Sequence, residues 1–539
     1  MALDIGGKIG IFTSGKNEHA ENIITAAFVR SFSHRQICRL TDLADMPAQT
    51  QALVLINPGK NEFEQLQDRL NSDLKLILLG KLDDCWAKLL GIAVDSFPPI
   101  ASVGDTVMED HSGYFSHSPW KICYRKNELT EQVPYKDRYL SRYDFTDEWN
   151  NHGYGRVWVQ GDETFALSQY ARCLDADQEM GWIENESREK ISSYCVQRDE
   201  DKLSLLWFNR TVGSVDSLEW TIIERYLSSH RSDELFCFPY LLEVPAGFTG
   251  VSTMRIDCDQ AIASARPLFE LYCQENIPFS LAILTGLPMN QKDWDLIQDV
   301  KAHGGAIVSH SVHHYPDWGG SYEIALQEAS ESKRWLENAV PEQGGDRYLV
   351  SPFHQNPRYA VQAMADAGYA GFIGGIIHND PDYLLARSGV VPYMVDTDFF
   401  SLSQQCMLHG DCFHRYGNSM APYLESFQYQ FSCDSVFGYL DHPFSSAYQY
   451  GWEDEAERLA AHYELIRYMK SIHGIWFCNL YDCMQFCKKR TQTDVWVDSG
   501  GTLRWTTSNG RTQKEADFVV QAQWRNDKYP LYEKMGNMK

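Results

Sequence analysis

Three short segments of this chain place acids and imidazoles at spacings that chemistry uses. Arg255-Ile256-Asp257-Cys258-Asp259 sets two carboxylates at i and i+2, which face the same side of a strand. Side-by-side carboxylates repel unless a cation sits between or beside them. Gly304-Gly-Ala-Ile-Val-Ser-His310-Ser311-Val312-His313-His314 runs an apolar strand into three histidines. His310 and His314 are spaced i, i+4, so a helical turn would aim both imidazoles at one point. One carboxylate with two imidazoles holds a divalent metal and leaves coordination positions open. Such an ion acidifies water and polarises a carbonyl, and the second carboxylate then serves as general base. Phe437-Gly-Tyr-Leu440-Asp441-His442-Pro443 adds a histidine after a late strand, suited to protonating a leaving amine. Singly, the Asp pair reads as a solvated strand end and His442 as a core histidine. Together the three segments read as metal-assisted hydrolysis.

Those residues need a frame that brings strand ends together. From about residue 245 the pattern alternates strand and helix. Strands are predicted at 250–257, 278–284, 305–309, 348–352, 370–375, 390–395, 435–440 and 474–478, and helices at 262–275, 290–303, 321–339 and 454–471. This count suits a parallel barrel whose chemistry sits at the C-terminal ends of its strands. Upstream, the runs at 8–14, 51–56 and 74–79, with an amphipathic stretch at 18–32, predict a small parallel unit. Thr13-Ser14-Gly15-Lys16 lacks the spacing of a phosphate loop, so a structural or docking role is expected there. Aromatic runs at 155–160 and 203–208 predict a β-rich insert, Ser217 opens a helix to 229, and 493–498, 502–507 and 518–524 predict three late strands with a turn at Asn509-Gly510. The fold class is therefore α/β. Residues 1–95 form an accessory domain resembling flavodoxin-like or amidotransferase-like domains, 96–244 a β-rich middle segment, 245–490 a distorted (β/α) barrel, and 491–539 a small β appendage.

Composition narrows the function classes. The 539 residues carry a formal net charge of −25 and no long Lys/Arg run, a field that repels nucleic acid and anionic membrane surfaces. No apolar stretch is long enough for a membrane span. The N-terminus lacks the pattern of a secretory signal. The fourteen cysteines include no Cys-x-x-Cys pair and are expected as reduced, mostly buried thiols of a cytoplasmic protein, at or near the inner membrane surface. Homo-oligomerisation stays open.

Asp-x-Asp, then His-Ser-x-x-His, then Pro352-Phe353, then Leu440-x-His442 resembles, in order and spacing, the NodB-type polysaccharide deacetylases, the family-four carbohydrate esterases. Arg255-Ile-Asp-Cys-Asp and the following Pro267-Leu-Phe-Glu-Leu-Tyr-Cys-Gln-Glu-Asn-Ile-Pro-Phe-Ser are also similar to the deformylase of lipid-linked aminoarabinose. The resemblance spans roughly 245–490. It implies an amide hydrolase that removes an N-acetyl or N-formyl group from an amino sugar, nucleotide-linked or lipid-linked, in surface polysaccharide or lipopolysaccharide biosynthesis. It implies Asp257 as general base and His442 as general acid. Asp259, His310 and His314 would hold a divalent metal, zinc foremost, with cobalt, nickel or manganese as alternatives. Ser311 would brace the histidine turn, the backbone near Phe353 would face the oxyanion, and Leu440 would wall the acyl methyl. Cys258 separates the two aspartates, so their roles stay exchangeable. Val350 stands where the family has arginine, with Arg347 or Arg358 as replacements, and Asp398 loosely matches the carboxylate that orients the acid. Two alternatives stay open: a glycoside hydrolase using the paired acids, which leaves the histidines idle, and a catalytically silent barrel used for carbohydrate binding or assembly.

Overall fold

The computed structural model describes residues 4–95 (16 aside), 121–131, 164–214 (165 and 186 aside), 219–374 (344 aside), 388–446 (405 and 416 aside), 448–507, 518–532 and 536–538. The predicted strand at 155–160, Ser217 and the Asn509-Gly510 turn lie outside the described residues.

The apolar runs Thr50–Ile56 and Leu74–Leu79 are buried almost throughout, as central strands covered on both faces must be. They belong to an eight-stranded sheet in the order Ile37–Leu40, Lys8–Thr13, Thr50–Ile56, Leu74–Leu79, Leu203–Phe208, Lys190–Asp199, Glu179–Glu184, Lys121–Tyr124. Leu203–Phe208 pairs in parallel with Leu74–Leu79 and antiparallel with Lys190–Asp199. The boundary expected at residue 95 therefore falls inside one sheet, and the first two predicted units share a core that includes Ile11, Ile183, Leu206 and Trp220. All six residues of Leu203–Phe208 are buried, which suits a sheet centre rather than a separate β insert. The helix expected to 229 is Trp220–Ser228.

The second sheet carries the candidate site. Its parallel run is Gly250–Cys258, Ser280–Ile283, Ala306–Ser309, Tyr348–Val350, Gly371–Gly374 and Phe400–Ser403, with Val436–Asp441 on the other side of Gly250–Cys258. Ile475–Cys478 also pairs with the start of Gly250–Cys258. The register lines up the C-terminal ends: Cys258 lies opposite Ile283, Ile283 opposite Ser309, Ser309 opposite Leu349, and Ile256 opposite Asp441. Phe400–Ser403 pairs with Gly371–Gly374, and shortly afterwards Cys406–Met407 pairs with Val436–Asp441. These two successive strands thus pair at opposite ends of the sheet, and the strand path returns to its start. Gly438 permits this closure, because a Cβ there would lie 2.5 Å from the Gln404 side chain.

Alternate residues face opposite ways, as strand geometry requires. Ile256, Leu281, Ile307 and Leu349 pack with Leu268, Leu296 and Leu336 of flanking helices. Ala282, Val308, Val350 and Leu402 pack with Leu480, Cys483 and Met484 of helix Leu480–Thr491. The predicted helices correspond to Arg266–Gln274, Gln291–Ala302, Tyr322–Ala339 and Glu455–Lys470. Asn290 and Asp293 cap one reciprocally, and Ser321 Oγ accepts from Ile324 N at the start of another. The strand expected at 390–395 is a correction. Only Gly389–Val390 is extended, antiparallel to Phe400–Ser403, because Pro392 has no N–H for a ladder. The predicted C-terminal appendage divides as well. Thr493–Val497 pairs with Leu503–Thr507, which also pairs with Gly536–Met538, whereas Gln521–Trp524 joins Tyr240–Leu241 and Asp527–Pro530. Among the described residues no helix is long and apolar enough to cross a membrane.

Candidate metal centre and active site

Asp259 follows the end of Gly250–Cys258, and His310 follows the end of Ala306–Ser309, so the aligned register sets them side by side. His310 Nε2 lies 3.3 Å from Asp259 Oδ1, His314 Nε2 lies 3.8 Å from the same oxygen, and the two imidazole Nε2 atoms are 3.0 Å apart. His310 Nδ1 is 3.1 Å from Val350 O. A carbonyl only accepts, so that nitrogen carries a proton, and Nε2 faces the cluster.

The histidine turn is not the helical turn expected. Residues 310–315 are irregular, with left-handed Ser311 (φ 65°) and His314 (φ 56°). Such backbone costs about 1–3 kcal/mol per residue and persists only where its surroundings enforce it. Here Glu328 Oε2 accepts from Val312 N and His313 N at 2.9 Å each, Glu328 Oε1 meets His313 Nδ1 at 2.6 Å, and Ser311 Oγ accepts from His314 N at 3.1 Å.

Of the three donor-atom separations, 3.0 and 3.3 Å match the edges of a coordination shell with metal–ligand distances of about 2.0–2.2 Å, which fall at about 3.0–3.5 Å, and the third, 3.8 Å, is slightly longer. Asp259 Oδ1 is buried and has no hydrogen-bond partner, which an ion would satisfy. Burial opposes ionisation of Asp259, but the neighbouring His310 and His442 imidazoles hold it well below the usual carboxylate range. Burial, then the neighbouring His310 charge, pulls His314 down to about 4. An ionised carboxylate and a readily neutral imidazole are the forms a metal binds. The residues fit a divalent cation.

Asp257 is only 2% exposed and takes a two-point contact from Arg255: Nε to Oδ1 at 2.7 Å and Nη2 to Oδ2 at 3.1 Å. Burial acts most strongly and raises its pKa, but the Arg255 and His310 charges and the Arg255 hydrogen bonds together outweigh it, and the net shift is downward. Asp257 Oδ2 lies 3.9 Å from His310 Nε2, at the edge of the cluster rather than among its ligands. Arg255 Nη1 also reaches Gln404 Oε1.

His442 faces Asp259 from the other side, with Nε2 3.4 Å from Oδ2. Its Nδ1 meets His409 Nε2 at 2.7 Å, and burial foremost drives His409 down to about 3, so His409 is neutral. Tyr450 stacks on His442 at 4.1 Å and its hydroxyl donates to Asp259 Oδ2 at 3.4 Å. Behind the strand, Asp441 Oδ2 meets His462 Nε2 at 3.0 Å and Arg458 Nη1 at 3.6 Å, while Arg458 Nη1 donates to His442 O at 2.5 Å. His409, Asp441 and His442 also lie close together, but Arg458 already balances the Asp441 charge and His462 hydrogen-bonds to it, so we read that trio as a hydrogen-bonded support.

The structure brings together Asp257, Asp259, His310, His314, His442, Phe353 and Leu440. Phe353 lies 4.4 Å from the His314 ring and packs with Met407 and Leu440. It does not bring in Arg347 or Asp398. Arg347 precedes Tyr348–Val350, at the opposite end of that strand, where Nη2 donates to Val340 O after helix Tyr322–Ala339. Arg358 lies over Tyr393 at 4.2 Å. Asp398 is exposed and lies near His34, whose pKa burial lowers against the pull of Asp398 and other nearby carboxylates. Their expected places are taken by Arg255 and His409. Arg255 was inside the motif, sharing a strand face with Asp257, whereas His409 follows the Cys406–Met407 strand that was not foreseen.

No family model matches the chain, and no curated protein matches it. Among solved structures, the chain is similar to the carbohydrate deacetylase Agd3, with 10% identity over 99% of this chain and 98% of that one and a TM-score of 0.41. A chitin deacetylase from Colletotrichum lindemuthianum aligns at 12% identity over 45% of this chain and 89% of its own, TM-score 0.30. A family 4 acetyl xylan esterase from Clostridium thermocellum, solved with a cobalt ion, aligns at 12% identity over 44% of this chain and 90% of its own, TM-score 0.28. These likenesses concern chain path.

Proposed function

We propose that the chain is a metal-dependent hydrolase that removes an N-acetyl group, or the smaller N-formyl, from an amino sugar. The observation that carries this is the convergence of Asp259, His310 and His314, with Asp257 and His442 reaching the same point. A divalent cation held by Asp259, His310 and His314 would supply Lewis acidity to water and to the acyl carbonyl. Asp257, kept ionised by Arg255, accepts the proton of the attacking water. His442, backed by neutral His409, delivers a proton from Nε2 to the departing amine. Leu440, Met407 and Phe353 enclose the acyl methyl, and backbone N–H groups near Phe353 face the developing oxyanion. The motif resemblance to polysaccharide deacetylases supports a saccharide as the carrier of the amide. Val350 in place of arginine suggests a silent domain, and the Arg255–Asp257 pair supports the enzymatic reading over it.

The test is to strip the purified protein with chelator, reload it with zinc or cobalt, and measure bound metal and acetate released from N-acetylated amino sugars. Parent protein should release acetate only when loaded, and Asp257→Asn and His310→Ala should lose it. Bound metal with no turnover on any acyl sugar, or variants as fast as the parent, would defeat the reading.

A further inference from the structure

Tyr450 is stacked almost flat on His442, with 16° between the rings, and its hydroxyl reaches Asp259. Tyr448 meets Tyr450 edge-on, with centroids 4.3 Å apart and planes at 90°. Tyr448 is 46% exposed, although large apolar side chains are mostly buried in this chain. Its position is fixed by the backbone: Ser445 N donates to Tyr448 O at 3.1 Å, Tyr448 N donates to Ser445 Oγ at 3.2 Å, and Gln449 Nε2 donates to Ser445 O at 2.7 Å. Gly410 N donates to Tyr450 O at 3.0 Å, tying this turn to the segment that carries His409. A half-exposed aromatic one ring removed from the group that meets the leaving amine is suited to a ligand that is apolar on one face and polar at its edges.

We propose that Tyr448 is the platform for the pyranose ring that bears the acyl amide, with Tyr450 holding the distance between that platform and His442. This rests on the proposed deacetylase reading and deepens it. The ring must lie on the His442 side of the centre, since the amine departs toward that imidazole, and Tyr448 is an exposed aromatic there. Ser445 and Tyr448 are held by their hydrogen bonds before the sugar arrives, so little ordering is needed on binding.

The experiment uses the full chain loaded with cobalt, titrated at equilibrium with short N-acetylglucosamine and N-acetylgalactosamine oligomers, alongside kinetics. Tyr448→Ala and Tyr448→Gln should weaken oligomer binding about tenfold, the scale of one aromatic contact, with the loss on KM rather than kcat. Tyr448→Trp should retain binding, and cobalt affinity and spectrum should match the parent in all three. Parent-like binding by the Ala and Gln variants overturns the platform while leaving the deacetylase reading intact. Loss of cobalt together with saccharide, or a Trp variant as weak as Ala, overturns it by making Tyr448 a structural residue. A parent that neither binds nor deacetylates any oligomer defeats the deacetylase reading, and the platform with it.

Discussion

Replacing Arg255 with methionine tests the electrostatic core of the site. The guanidinium is fully buried and contacts Asp257 through two nitrogens. Removing one partner of a buried pair costs about 3–5 kcal/mol, because the other charge stays in low dielectric. Protonating an ordinary aspartate at pH 7 costs about 4 kcal/mol, from about three pH units at 1.36 kcal/mol each. The two figures are comparable, so in Arg255→Met much of Asp257 takes up a proton instead of remaining bare. A protonated Asp257 cannot accept the proton of water, so kcat/KM at neutral pH should fall by about 10²–10⁴, and the acid limb of its pH profile should move toward neutrality. Stability carries a second signature. Asp257 has a depressed pKa when folded, so its contribution is present above the unfolded value and lost as pH falls through the folded one. The variant should therefore be less stable than the parent at pH 7 and converge with it in acid. Arg255→Lys keeps charge without the fork and should fall between. Acetate release against pH, with urea unfolding at the same pH values, measures both. A methionine variant with the parent's acid limb and kcat/KM would refute the assignment of Arg255 as the group that keeps the base ionised.

Three further outcomes follow from the same geometry. Zinc or cobalt at about 100-fold excess over its dissociation constant should stabilise the parent by about 2.7 kcal/mol, read as a thermal shift that Asp259→Asn and His314→Ala lose. His409→Leu should lower kcat about 10- to 100-fold, as removal of an orienting partner does, with metal content unchanged. His409→Gln should recover part of the rate, because its amide can still reach His442. Asp398→Asn should stay within about 0.5 kcal/mol of the parent in stability and leave acetate release unchanged, whereas Arg347→Met should lower the unfolding midpoint without raising KM.

What was legible in the sequence divides by range. Asp259 and His310 stand at the ends of strands whose apolar runs are local facts, and parallel neighbours in register carry those ends to one rim without further information. The histidine turn was read with the wrong local structure, because its shape is set by Glu328, a buried residue from the next helix whose contact spacing does not announce. The single sheet behind the first two predicted units was hidden for a similar reason. Leu203–Phe208 is separated from Leu74–Leu79 by more than a hundred residues, and a fully buried run does not say which neighbour covers it.

Arg255 and His409 show the two ways a site residue escapes such reading. Positions 255, 257 and 259 alternate along one strand direction, so period-two geometry alone places a guanidinium beside the paired acids. Its role was recoverable, and it was overlooked because the arginine was sought near Pro352. His409 was not recoverable in that way. It reaches His442 only because one segment pairs first with Gly371–Gly374 and then with Val436–Asp441, and the strand that does this is short, polar on alternate positions and preceded by a turn at Pro392. Ring closure is a property of the whole sheet. A residue placed by it leaves no mark in its own neighbourhood, which is why the imidazole behind the acid came from a segment that motif spacing never pointed to.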